Sequence, residues 1–245
     1  MNRWFEQLKD AVWRRLLERK PLDWRLPSEI KVLIKNTDDW RAYNQVFVDA
    51  EYDFAIAEML KQTRDRNEIR VLDLGAGNGY FSLYFCDQFI RMALPDLMLF
   101  LYAVESPRQN SLELKTRLRE IAFNNIKVQT LDHLPWKPSL AGKSHDEPSG
   151  YTFDKIDLLR CDLPADEMDF FITQSDLPAK SDRMVIAFHD TLGLDEKIKE
   201  AEKRLRTAGF RYAVTLRASE TEPLIFYGRQ KNHTQVAVSE YRVLT

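Results

Sequence analysis

Hydrophobic positions recur every three to four residues over residues 3–20, with Trp4, Phe5, Leu8, Val12, Leu16 and Leu17 on one side, and predict a helix. Its other side mixes Arg14, Arg15, Arg19 and Lys20 with Glu6, Asp10 and Glu18. The acidic residues dilute the basic face, so packing on the domain or on a second subunit is favoured over a membrane surface. Pro21 to Pro27 breaks this helix, Ile30 to Ile34 reads as a short strand, and residues 45–63 read as a second helix carrying Phe47, Tyr52, Ala55, Ile56 and Leu60.

From Ile69 onward the pattern changes. Apolar runs at Arg70–Leu74, Met98–Val104, Ile126–Thr130, Ile156–Cys161 and Met184–Phe188 predict strands. They alternate with helical stretches near 79–92, 108–122, 165–174 and 195–208, the last ending at Gly209. This alternation is the signature of a parallel sheet wrapped by helices. Two further strands, Tyr212–Leu216 and Leu224–Tyr227, are close enough to pair antiparallel, and the polar run Lys137–Thr152 reads as an exposed loop. The organisation expected is a helical N-terminal extension over residues 1–66 and one α/β domain over residues 67–245.

Composition then narrows the partners. Lys and Arg total 36 against 38 Asp and Glu, a net charge of −2, so no strong field draws in nucleic acid and none is expected as a partner. Two cysteines, Cys86 and Cys161, exclude a disulfide framework and fit a reducing, cytoplasmic setting. The longest apolar stretch, Met92 to Val104, contains Pro95 and Asp96 and is too short to span a bilayer. Trp4 and Trp13 on one helix make a homodimer a second use for that face.

Only eight glycines occur in 245 residues, yet Gly75, Gly77 and Gly79 fall within five. They lie in VLDLGAGNGYFSLYF, a strand, a glycine loop and a helix, and such a loop at the carboxyl end of a strand faces the ligand crevice of an open sheet. The spacing is GxGxG, which departs from the dinucleotide pattern GxGxxG, and the Lys-Ser/Thr pair of a phosphate loop is absent. Asp73, two residues before the first glycine, would repel a pyrophosphate and suit a cationic ligand such as an ammonium or a sulfonium.

These residues resemble the first motif, D/E-x-G-x-G-x-G, of class I S-adenosylmethionine-dependent methyltransferases. The resemblance implies a Rossmann-like seven-stranded sheet, its last strand antiparallel, with helices on both faces. It implies S-adenosylmethionine as cofactor, lined by Asp73, Gly75, Ala76, Gly77, Asn78, Gly79, Tyr80 and Phe81. Glu105, at the end of the next strand and followed by Ser106, would accept hydrogen bonds from the ribose hydroxyls. Asp132 would lie near the adenine amine, and Asp162 at the cofactor's edge.

Two later segments, AVESPRQNSLELKTRLREIAFNNIKVQTL and FDKIDLLRCDLPADEMDFF, resemble the FkbM-type methyltransferases, over a span from Lys31 to Arg229. The departures are local. The family's lysine is Arg160, its Glu-Gly pair is Pro164-Ala165, and the acid two residues before its histidine is Ala187.

At the strand ends, Asp162 and His189 are the candidate catalytic residues: His189 as general base, Asp162 as base or as holder of the acceptor. No ligand spacing among Asp162, His189 and Asp190 enforces a metal site, and none is expected. The activity implied is O-methylation of a hydroxyl on a small molecule or glycan. Pro164, Ala165 and Ala187 keep open a catalytically degenerate binding or scaffold protein of the same fold. A protein or nucleic-acid methyltransferase is the other alternative, and the CDLP that follows strand four lacks the NPPY-like tetrapeptide of base N-methylation.

Overall fold

The computed structural model describes residues 15–17, 19–61, 66–92, 96–106, 108–132, 153–164, 168, 170, 176–189, 193–229 and 241–243. The first fourteen residues, the loop expected at 137–152, most of the helix expected at 165–174, and Ala165, Glu167 and Asp190 lie outside them.

Five strands run parallel: β3 (Glu68–Leu74), β4 (Met98–Val104), β5 (Ile126–Leu131), β6 (Leu158–Cys161) and β7 (Arg183–Ala187). Their spatial order is β5-β4-β3-β6-β7, so the chain reverses direction of travel between β3 and β6. That switch point opens a crevice at the carboxyl ends of the strands, where ligands bind in such sheets. Beyond β7 lies β9 (Leu224–Gly228), antiparallel to it, and beyond that β8 (Tyr212–Arg217). The seven-stranded sheet with its last strand antiparallel is therefore present, and β10 (Tyr241–Val243) adds an eighth strand along β8.

Alternation along the strands divides the core between two faces. On β3, Ile69 and Val71 point to one face with Phe81, Phe85, Ile56, Met59 and Val32. Leu72 and Leu74 point to the other with Phe188, Leu205 and Tyr227. Asp73 continues the first series, so a charged group enters an apolar face at the end of its strand.

The region before β3 differs from a plain pair of helices. Leu22–Arg25 forms β1, pairing antiparallel with β2 (Lys31–Ile34). The pattern did not reveal β1 because none of its side chains is fully buried, and the prolines on either side mark its ends. Next comes α1 (Thr37–Tyr43), whose N-terminus is capped by the Asn36 side chain accepting from Asp39 N at 2.8 Å. The expected helix over 45–63 is broken in two. A π-helical turn at Asn44–Val48 is followed by Ala50 in a left-handed conformation (φ 53°), and α2 (Asp53–Leu60) starts only after it. Further helices are α3 (Tyr80–Arg91), α4 (Arg108–Leu118), α5 (Asp176–Lys180) and α6 (Leu194–Thr207). No helix among the described residues is long and apolar enough to cross a membrane.

A buried polar knot fastens α1 to the domain. The Asp39 carboxylate accepts from Lys35 N at 2.8 Å, from Arg117 Nη2 at 2.8 Å and from Asn78 Nδ2 at 2.5 Å, and it has no exposed surface. Arg117 also donates to the Leu33 carbonyl at 2.7 Å and to the Tyr80 hydroxyl at 3.0 Å. Removing one partner from a buried pair leaves the other charge uncompensated. Asp39→Ala is expected to destabilise the fold by about 3 kcal/mol, read as a lowered urea midpoint; an unchanged midpoint would show that the knot contributes nothing.

Candidate functional site

The glycine loop is shaped by two neighbouring strand ends. Gly75 N and Ala76 N both donate to the Val104 carbonyl, at 3.0 and 2.9 Å, and Asp162 N donates to the Leu74 carbonyl at 2.9 Å. This draws the loop onto β6. A Cβ at Gly75 would overlap the backbone carbonyl oxygen of Asp162, and one at Gly79 would come within 2.7 Å of the Leu114 side chain. Gly77 is different: it has φ 54°, and nothing lies within 4 Å of the place a Cβ would take. It borders open space. Its N–H donates to Glu105 Oε2 at 2.6 Å, while Asn110 Nδ2 lies 3.4 Å from Glu105 Oε1.

Beneath the loop sits Arg160. The register of β3 and β6 pairs Asp73 directly with Arg160, which places acid and base side by side on one face. Arg160 Nη1 donates to Asp73 Oδ1 at 2.7 Å and to the Gly75 carbonyl at 3.1 Å, Nη2 donates to Asp162 Oδ2, and Nε donates to the Tyr52 hydroxyl at 3.0 Å. The rings of Tyr52 and Phe81 flank the guanidinium, with centroids 5.5 and 5.4 Å away.

Asp73 thus faces a cation of its own chain where the sequence pattern placed a cationic ligand. Its second oxygen accepts from Ser82 Oγ at 2.7 Å, and the residue is wholly buried. Burial pushes its carboxyl above the ordinary value, outweighing Arg160 and Ser82. At Asp162 burial acts in the same direction, but Arg160 and His189 prevail and hold the carboxyl below the ordinary value. Burial also pushes the Tyr52 phenol up to about 12.

Asp162 and His189 meet. His189 Nε2 lies 2.6 Å from Asp162 Oδ1, and both side chains are about a quarter exposed (22% and 25%), so the pair is reachable at the edge. Close by, Glu51 pairs with Arg217 at 3.0 Å, joining the segment before α2 to the end of β8.

The other expected residues divide. Ser106 is exposed just after β4 and Asp132 half-buried just after β5, on the same carboxyl edge. Ala76 and Phe81 are buried. Asn78 and Tyr80 turn into the Asp39–Arg117 knot, with Tyr80 Oη donating to the Leu33 carbonyl at 2.9 Å. Arg160, Tyr52, Asp39, Arg117 and the Glu51–Arg217 pair were not singled out as site residues. One signal was present: an arginine inside the apolar run IDLLRCDL is a charge in a buried strand, which requires a partner. Among the described residues no group of three or more His, Cys, Asp or Glu is arranged to hold a metal ion.

Comparison with known proteins identifies the fold as that of class I S-adenosylmethionine-dependent methyltransferases. A human methyltransferase 10 domain-containing protein aligns over 94% of this chain and 99% of its own, at 14% identity and a TM-score of 0.50. A class I S-adenosylmethionine-dependent methyltransferase structure from Listeria monocytogenes aligns over 78% of this chain and 62% of its own, at 12% identity and a TM-score of 0.50. The magnesium protoporphyrin IX methyltransferase of Synechocystis with bound S-adenosylhomocysteine aligns over 93% and 96%, at 17% identity and a TM-score of 0.47. No protein-family model matches the chain, and neither does any curated protein.

The contrast between two glycines makes a direct test. Gly75→Ala meets a backbone oxygen that cannot move aside and is expected to cost about 3 kcal/mol of stability, whereas Gly77→Ala meets only its own positive φ and should cost about 1 kcal/mol. Equal urea midpoints for the two variants would contradict this assignment.

Proposed function

We propose that this chain is an S-adenosylmethionine-dependent methyltransferase acting on a hydroxyl of a small molecule or glycan. The observation that carries the reading is the open space at Gly77, whose N–H meets the Glu105 carboxylate, on the same carboxyl edge of the sheet that carries the Asp162–His189 pair. This donor set fits the cofactor: a backbone that a ligand can approach closely, a carboxylate able to accept from two hydroxyls, and a reachable carboxylate for a cation.

In this reading Gly75 to Gly79 and Glu105 hold the nucleoside part and Asp162 holds the cationic end. Ser106 and Asp132 line the edge further along. Asp73 acts through Arg160, fixing the position of Asp162 and of the Gly75 carbonyl. When bound, the cofactor supplies an electrophilic methyl group on positively charged sulfur. His189 takes the acceptor's proton, and its bond to Asp162 orients the ring for that task. Residues 67–245 form the cofactor-binding unit and residues 1–66 an extension that supplies Tyr52 and Glu51 to its edge.

The segments similar to FkbM-type enzymes support a hydroxyl acceptor, and the net charge of −2 weighs against nucleic acid. The hydrogen-bonded Asp162–His189 pair favours an active enzyme over a scaffold, since a scaffold has no use for an oriented, partly exposed base.

Calorimetry should detect S-adenosylmethionine binding to the full chain, and Asp73→Ala should weaken it by about 1–3 kcal/mol, because Arg160 loses its anchor. A product screen with labelled S-adenosylmethionine against hydroxyl-bearing metabolites and glycans should yield a methylated product. The product should be lost in His189→Gln. Binding with no turnover across that panel would favour the scaffold reading, and no binding would refute the proposal.

A further inference from the structure

The carboxyl edge holds more negative than positive charge. Among the described residues, the charged and titratable groups that act on Asp162 and its neighbours, besides His189, come from four elements: Asp73 on β3, Arg160 at β6, Asp49, Glu51 and Tyr52 before α2, and Arg217 on β8. Glu51 and Arg217 pair with each other. Tyr52 remains a neutral phenol at neutral pH. Two carboxylates, Asp73 and Asp162, then face the single guanidinium of Arg160. Within the Asp73–Arg160–Asp162 cluster the surplus negative charge is reachable at Asp162, because Asp73 has no exposed surface.

Two cations have a claim on that charge. One is a protonated His189, whose Nε2 already lies 2.6 Å from Asp162 Oδ1. The other is the charged sulfur of a methyl donor lodged at the glycine loop, a claim that rests on the methyltransferase reading. We propose that the proton of His189 and the positive sulfur of the donor compete for this one carboxylate charge. His189 is thus proton-free while the methyl-bearing cofactor is bound and protonated once the demethylated product, with its uncharged sulfur, has taken its place.

The competition makes the base ready when it is needed. The ionised Asp162 carboxylate only accepts, so Nε2 donates to it and Nδ1 is the ring atom that changes protonation. During transfer the acceptor oxygen gains the methyl carbon, the carbon–sulfur bond breaks with its electron pair remaining on sulfur, and the hydroxyl proton passes to Nδ1. One positive charge disappears from sulfur and one appears on the imidazole, so the edge keeps a constant charge. Charge separation, which is costly at a partly desolvated site, is thereby avoided.

The test compares S-adenosylmethionine with S-adenosylhomocysteine, which lacks the methyl group and the charge it confers. Calorimetric titrations of the full chain near pH 6.5, in buffers of low and high ionisation heat, should show proton release with S-adenosylmethionine and none with S-adenosylhomocysteine. His189→Gln should abolish the difference. As a readout independent of that variant, His133, His145 and His233 are replaced by Gln so that His189 is the sole imidazole of the four. Its NMR titration midpoint should then lie about one pH unit lower with S-adenosylmethionine than with S-adenosylhomocysteine. Equal proton linkage for the two ligands, equal midpoints, or a difference that survives in His189→Gln would each overturn the inference while leaving the methyltransferase reading intact. Failure of both ligands to bind would overturn that reading, and the inference with it.

Discussion

The guanidinium of Arg160 is the constraint on which the site depends. It is a buried cation that donates to three groups distant in the chain, Asp73 on β3, the first glycine of the loop and Tyr52 before α2, and to Asp162, two residues along. Coulombic attraction at low dielectric makes each of these contacts strong, and desolvation makes each compulsory. A carboxylate such as Asp73 is tolerated at the end of an apolar strand only because the register of β3 and β6 delivers a cation beside it. In turn, that cation orients Asp162 so that its other oxygen meets His189. Strand register, a property of the sheet, thereby becomes geometry at the candidate reaction centre.

The chain before β3 is bound to this edge by polar contacts as well as by apolar packing. Asp39 ties α1 to the glycine loop and α4, Tyr52 ties the start of α2 to Arg160, and Glu51 ties it to β8. Between them runs a stack of rings, Trp40 on Tyr43 and Tyr43 on Phe47, whose edges meet Tyr80 and Tyr84 of α3. Meeting these partners at once carries a conformational cost. A π-helical turn and a left-handed alanine, both uncommon, reset the chain's direction between Phe47 and Tyr52. Such local strain persists where surrounding contacts over-determine it, as they do here.

Periodicity made the sheet legible because its central strands are continuous apolar runs; β3, β4, β5, β7, β8 and β9 lie within a residue or two of where the pattern puts them. It failed where burial was partial. β1 buries no residue completely, and the helix expected over 45–63 has a sound apolar stripe that tertiary contacts to Glu51 and Tyr52 override. At the site, residue types in the glycine motif and at the strand ends pointed to the carboxyl edge of the sheet. They did not show that Asp73 would be consumed by an internal cation, because its partner lies 87 positions away in the chain and only strand pairing brings the two together.

The three glycines of the loop show how one motif can record different constraints. Gly75 is required because β6 approaches the loop too closely for a side chain, and Gly79 because α4 packs its Leu114 against it. Both are requirements of folding and would hold with no ligand at all. Gly77 alone has open space before it, so its lack of a side chain is explained by backbone conformation and by whatever approaches from outside. The strength of a GxGxG match as a sign of cofactor binding therefore rests on its middle glycine, while the outer two report a sheet and helix packed closely enough to build the crevice.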